Sequence, residues 1–187
     1  VVQRPASILK ECLENSIDAG ADIIEITIEN GGVGQIKIKD NGSGIDKSEL
    51  PLALERHATS KITSISDLEN VMSFGFRGEA LSSIAAVSRF SIESRHKEAD
   101  IGAKIELYDS SSNVDVMPSP CPVGTIITVK DLFFNVPARR RFLRADRTEY
   151  NYLDDVIKKI ALSNFDTSFR VTNNGKQVRF LEKVTAG

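Results

Sequence analysis

Apolar and polar residues recur with two different periods along this chain, and the switches between them mark out its elements. Residues 5–20, P-A-S-I-L-K-E-C-L-E-N-S-I-D-A-G, carry apolar residues at helical spacing. Pro5 suits the first turn, where its missing N–H is not needed, and Gly20 suits a left-handed C-terminal cap. D-I-I-E-I-T-I-E and Q-I-K-I-K-D then alternate with period two across the link N-G-G-V-G, which predicts a hairpin. Ile24, Ile26 and Ile28 share one face, as do Ile36 and Ile38. Glu and Lys fall on the other, where cross-strand pairing is favourable. One sheet face is therefore expected to be buried under the first helix.

K-S-E-L-P-L-A-L-E-R reads as a short helix, and residues 57–78 as a long loop rich in Ser, Thr and Gly with a small helix around S-D-L-E-N-V. G-E-A-L-S-S-I-A-A-V opens another helix. Strands are predicted at R-F-S-I-E-S, A-K-I-E-L-Y and T-I-I-T-V-K-D-L. An amphipathic helix follows over T-E-Y-N-Y-L-D-D-V-I-K-K-I-A-L. S-F-R-V-T and K-Q-V-R-F flank Asn173-Asn174-Gly175, a strong hairpin signal. Helices and hairpins mixed in this order predict an α+β two-layer sandwich, with helices on one face of a mostly antiparallel, mixed sheet.

Composition narrows this only a little. The chain has 187 residues, 41% apolar and 27% charged, which is ordinary for a globular domain. A net charge of -2 excludes a uniformly basic coat for nucleic acid and leaves room for local patches. No run approaches the roughly 18 apolar residues of a membrane span, and no leader pattern is evident. Cys12 and Cys121 form no metal-ligand pattern and read as reduced core residues.

The common phosphate-binding motifs are missing. The only Gly-Lys pair, Gly175-Lys176, is followed by Gln177, so there is no Walker A loop. Gly42-x-Gly44 has Lys47 where a dinucleotide fingerprint needs its third glycine. Nothing has zinc-ligand spacing, and His57 and His96 are poor material for a catalytic triad.

Other stretches can carry chemistry. Glu11 and Asn15 lie one helical turn apart at the edge of the apolar stripe. There a carboxylate can polarise water and an amide oxygen can ligate Mg²⁺; a solvent-facing pair is the plainer alternative. Asp40 closes a strand and begins D-N-G-S-G-I. Its carboxylate can accept the exocyclic amine of adenine but not the carbonyl of guanine, and Gly42 and Gly44 could let the backbone approach a flat base. A simple Asp-Asn-Gly turn is the alternative, although it does not need the second glycine. Gly75, Phe76, Arg77 and Gly78 lead into a helix at Glu79, Ala80 and Leu81, an arrangement suited to anions. Thr59, Ser60 and Lys61 add hydroxyls and an ammonium upstream. Thr125 begins a strand with a hydroxyl that could reach a base or a bridging water. Five arginines fall between Arg139 and Arg147. They could bind nucleic-acid phosphates, through Arg139, Arg140 and Arg141 first, or form a solvated helix entry paired with Asp146 and Glu149.

Taken together, R-P-A-S-I-L-K-E-C-L-E-N-S-I-D-A-G-A, D-N-G-S-G-I, R-H-A-T-S-K-I, G-F-R-G-E-A-L and N-V-P-A-R-R-R-F-L resemble, in order and spacing, the N-terminal ATPase domain of the MutL family of DNA mismatch repair proteins. That family shares a superfamily with type II topoisomerases, a heat-shock chaperone and histidine kinases. The resemblance implies a Bergerat-type ATP-binding fold over residues 1–187. It also implies a slow Mg²⁺-dependent ATPase acting as a conformational and dimerisation switch. Glu11 would be the general base, Asn15 the Mg²⁺ ligand and Asp40 the reader of adenine, with Thr125 supporting it through water. Thr59 to Lys61 and Arg77 to Leu81 would form a lid, with Gly44 and Gly75 also at the nucleotide. Implied partners are DNA, a mismatch-recognition protein and downstream repair factors, in the cytoplasm or nucleoid of a bacterium or the nucleus of a eukaryote. The family carries an N-terminal segment before V-V-Q-R-P and a second domain afterwards, so this stretch is expected to bind nucleotide weakly, to turn over little and to be mainly monomeric. A non-catalytic DNA-binding module, or the ATPase domain of a topoisomerase subunit, are the alternatives.

Overall fold

A computed structural model describes residues 4–54, 80–108 and 114–184. Helix α1 (Pro5–Asp18) has its proline in the first turn and turns Ile8, Leu9, Cys12 and Leu13 inward. Strands β1 (Ile23–Glu29) and β2 (Gln35–Asp40) pair antiparallel across a short 3-10 turn at Asn30–Gly32, as the alternation predicts. Short helix α2 (Leu50–Ala53) and helix α3 (Ala80–Ala86) follow; the helix expected near residues 66–71 lies outside the described residues. Next come β3 (Arg89–Arg95), β4 (Gly102–Leu107), β5 (Met117–Ser119) and β6 (Gly124–Lys130). A short helix α4 (Pro137–Arg141) leads to α5 (Asp146–Leu162), and β7 (Ser168–Asn173) and β8 (Lys176–Leu181) form the last hairpin.

The eight strands among the described residues join one mixed sheet in the order β5-β4-β3-β6-β2-β1-β7-β8. Every ladder is antiparallel except β1 against β7, which α5 makes possible by carrying the chain back along the sheet. Helices α1 and α5 pack on each other. The β1–β2 charge pattern resolves differently from expectation. Glu25 stands opposite Lys39 in register, but its ion pair runs to Arg170 of β7, 2.9 Å away.

Strand register explains both the core and the site. One row of inward residues reads Val171, Ile26, Ile38, Ile127, Ile92, Ile105 across six strands. All six are buried, each worth roughly 1.5–3 kcal/mol of transfer free energy. The next row reads Phe169, Ile24, Asp40, Thr125, Ser94, Ala103. Its three central positions are polar. Such a patch on an apolar face is tolerated only where each group finds partners.

Candidate functional site

The polar patch floors a cleft between the C-terminal half of α1 and the turn after β2, lined by Cys12, Asn15, Ser16, Asp40, Gly44 and Thr125 among others. Asp40 is held from three directions. Ser16 donates its hydroxyl at 2.7 Å, and the backbone N–H groups of Gly42 and Thr125 donate at 2.9 and 3.3 Å. Burial lifts the Asp40 carboxyl above the ordinary carboxylate value of 3.8, against the downward pull of those three bonds. The result is a nearly buried carboxylate with its cavity side open to a donor.

The turn D-N-G-S-G-I is stapled at both ends. Asn41 accepts the N–H groups of Asp22 and Ile23, Ser43 donates its N–H to Ala19, and Lys97 donates to Ser43. Both glycines make room for the surrounding protein. A Cβ on Gly42 would stand 2.8 Å from Ala19, and one on Gly44 would stand 1.9 Å from the Arg95 carbonyl oxygen. Gly44 also has φ +74°, a conformation costly for any L side chain.

On α1, Asn15 lines the cleft, and its Oδ1 is buried with no hydrogen-bond partner among the described residues. Glu11, one turn earlier, is half-buried and leaves Oε2 buried and equally unpartnered, though it does not line the same hollow. Buried oxygens without partners are rare and expect a ligand, a cation or water. The structure thus gathers Asn15, Asp40, Gly44 and Thr125 at one cleft, with Glu11 beside it. Thr59, Ser60, Lys61, Gly75, Phe76, Arg77, Gly78 and Glu79 lie outside the described residues. Ala80 opens α3, and the Leu81 side chain is buried in the core rather than in the cleft.

The arginine segment differs from one of its two readings. Glu149 is buried, accepts the N–H of Arg144 at 3.2 Å and lies 3.8 Å from Arg4. It does not pair with Arg139, Arg140 or Arg141. Arg139 rests over the Phe133 ring, while Arg140 and Arg141 are exposed beside Phe142, itself 85% exposed.

Two site residues escaped the sequence reading. Ser16 follows Asn15 and sits four residues after the buried Cys12, a polar residue on the apolar arc. Ser94 continues the alternation Phe90, Ile92, Ser94, so period two alone puts a hydroxyl on the buried face. Both signals were available.

Residues 3–124 match the model of the histidine kinase-, DNA gyrase B- and HSP90-like ATPase family. The chain belongs to that family. Within it the chain is of the MutL type, and its eight-stranded sheet with covering helices is the fold of those ATPase domains. It is 51% identical over 183 residues to the DNA mismatch repair protein MutL of Pseudomonas fluorescens and 55% over 179 residues to that of Aliivibrio fischeri. These alignments cover 98% and 96% of this chain but 29% and 27% of those proteins, so the chain spans less than a third of their length. The Aquifex aeolicus MutL ATPase domain, solved in complex with ADP, superposes with a TM-score of 0.77 at 33% identity, over 99% of this chain and 66% of that one. The N-terminal domain of a DNA repair protein gives 0.78 at 32% identity, over 99% and 54%. No helix among the described residues is long and apolar enough to cross a membrane.

Proposed function

We propose that the cleft binds adenine nucleotide and that, as part of a mismatch repair protein, it hydrolyses ATP slowly with Mg²⁺, serving that protein as a nucleotide-driven conformational and dimerisation switch. The observation that carries this is the buried carboxylate of Asp40, fully engaged by its own chain on one side and open to the cleft on the other. Such a group takes an amine and rejects a carbonyl. The related Aquifex domain with ADP supports the same ligand.

The donor set fits a divalent cation. Asn15 Oδ1 is a buried, unpartnered amide oxygen of the hard type that Mg²⁺ takes, and phosphate oxygens would complete its shell. Bound there, Mg²⁺ would neutralise charge on the phosphates. Glu11 is the proposed general base: it takes a proton from the attacking water as that oxygen bonds to the terminal phosphorus and the bond to ADP breaks. Thr59 to Lys61 and Arg77 to Leu81 are proposed as the closing phosphate lid, with Gly75 also at the nucleotide, and the 187 residues as a single ATP-binding domain. The exposed Arg140 and Arg141, with Arg139, are proposed to meet DNA phosphates. A mismatch-recognition protein and downstream repair factors are the proposed partners.

Glu11→Ala tests the catalytic half. Binding of a non-hydrolysable ATP analogue should persist, while single-turnover hydrolysis with protein in excess should fall by about 10²-fold or more. Hydrolysis at the original rate would remove Glu11 from the role.

A further inference from the structure

Ser94 is only 1% exposed and its hydroxyl touches three groups. It accepts the backbone N–H of Ile45 at 2.8 Å, and its Oγ lies 2.9 Å from the carbonyl oxygen of Gly124 and 2.8 Å from Thr125 Oγ1. A serine hydroxyl has one hydrogen. The Gly124 carbonyl has none to give, so the Ser94 hydrogen goes there. The hydrogen in the contact with Thr125 must then be threonine's own. Thr125 therefore spends its only hydrogen on Ser94 and faces the cleft with lone pairs alone. Beside it stands the Asp40 carboxylate, its neighbour in the strand register.

We propose that Ser94 is a specificity-positioning residue: by holding the Thr125 hydroxyl as an acceptor, it makes the cleft floor purely accepting, and so selects a base edge that presents an amine. The idea rests on the adenine reading above and extends it to a residue that need not touch the ligand. Without Ser94 the Thr125 hydroxyl is free to turn its hydrogen into the cleft, where it would welcome a carbonyl at the position adenine fills with its amine. Ser94 also fixes the Ile45 turn, so a purely structural role has to be separated from this one.

The test is competition of ADP and inosine diphosphate against a fluorescent ADP, read to millimolar concentration, with Mg²⁺ present. The unaltered chain should prefer ADP, and Asp40→Asn should abolish the preference. Ser94→Ala should lower the ADP-to-inosine-diphosphate affinity ratio by about tenfold, one hydrogen bond's worth. Added to Thr125→Val, Ser94→Ala should change the ratio by less than about twofold, because the proton it positions is gone. An equal fall in the Thr125→Val background would mean that Ser94 acts through the Ile45 turn, and would overturn the proposal. So would an unchanged ratio in Ser94→Ala while the unaltered chain still prefers ADP; the adenine reading would then stand without it. No preference in the unaltered chain would sink both. Should Ser94→Ala not fold, proton NMR of the unaltered chain decides. The Thr125 hydroxyl proton should show nuclear Overhauser contacts to Ser94 Hβ, and contacts pointing into the cleft instead would overturn the assignment.

Discussion

Replacing Asp40 by asparagine should separate what the residue does for the fold from what it does for the ligand. The exchange is nearly isosteric. An asparagine oxygen in the place of Oδ1 still accepts from the N–H groups of Gly42 and Thr125, and its amide can donate to Ser16 Oγ in place of the present bond from Ser16. Charge assistance is lost on three bonds, roughly 1 kcal/mol each. Against this, the carboxylate no longer has to be taken out of water, a cost of several kcal/mol. The direction of the Asp40 shift decides the contest: its surroundings favour the neutral form over the charged one. Asp40→Asn should therefore be at least as stable as the original at pH 7. The pH dependence has a defined sign. A raised folded pKa adds stability that is fully present below the ordinary value of 3.8 and is lost as pH rises through the folded value. The asparagine variant lacks that slope, so its advantage should open with rising pH across this window. Binding should go the other way. An amide N–H₂ turned toward the adenine amine sets donor against donor and forfeits about 3 kcal/mol, about a hundredfold in affinity. Urea melts from about pH 3 to about pH 8, together with ADP titration, would read both effects. A variant less stable by more than about 2 kcal/mol at pH 7 would show that the hydrogen bonds outweigh burial. ADP affinity within about threefold of the original would remove Asp40 from recognition altogether.

Gly44→Ala should cost about 3 kcal/mol of stability, from the left-handed backbone and the 1.9 Å approach to the Arg95 carbonyl, seen as a drop in the urea midpoint. A loss under about 1 kcal/mol with weakened nucleotide binding would show that this glycine serves the ligand more than the fold. Arg140→Ala and Arg141→Ala should leave stability unchanged, since both are exposed and make no ion pair among the described residues. Each should shallow the slope of log affinity for duplex DNA against log salt by about 0.9. An unchanged slope would place the DNA surface elsewhere.

The architecture was legible because most of it is written locally. Period two in Ile24–Ile28 and Ile36–Ile38, helical period in residues 5–18 and Asn-Gly at 174–175 each fix an element without help from distant chain. What escaped was set by tertiary partners. The parallel ladder between β1 and β7 follows from where α5 returns the chain, which no local pattern states. Strand β5 was missed because Met117-Pro118-Ser119 has no strand-like composition; it pairs only because β4 offers it an edge. The same division runs through the site. Asn15 and Asp40 stand out from their own neighbours, whereas Ser16 and Ser94 gain meaning only from what lies across the sheet.

That division has a physical root in the polar row itself. Asp40, Thr125 and Ser94 occupy one register line on three adjacent strands, yet lie 85 and 31 residues apart in sequence. A buried carboxylate on a sheet face would be expelled unless neighbouring strands supplied donors, and here the donors come from β6 and α1. Once in place, it leaves few cheap choices for the positions beside it. An apolar side chain at position 125 would offer the cleft no hydrogen-bonding group, and one at position 94 would leave the Ile45 N–H without its present acceptor. The polar row is thus a coupled unit, and a substitution at any of its three positions should be read first through the proton positions at the other two.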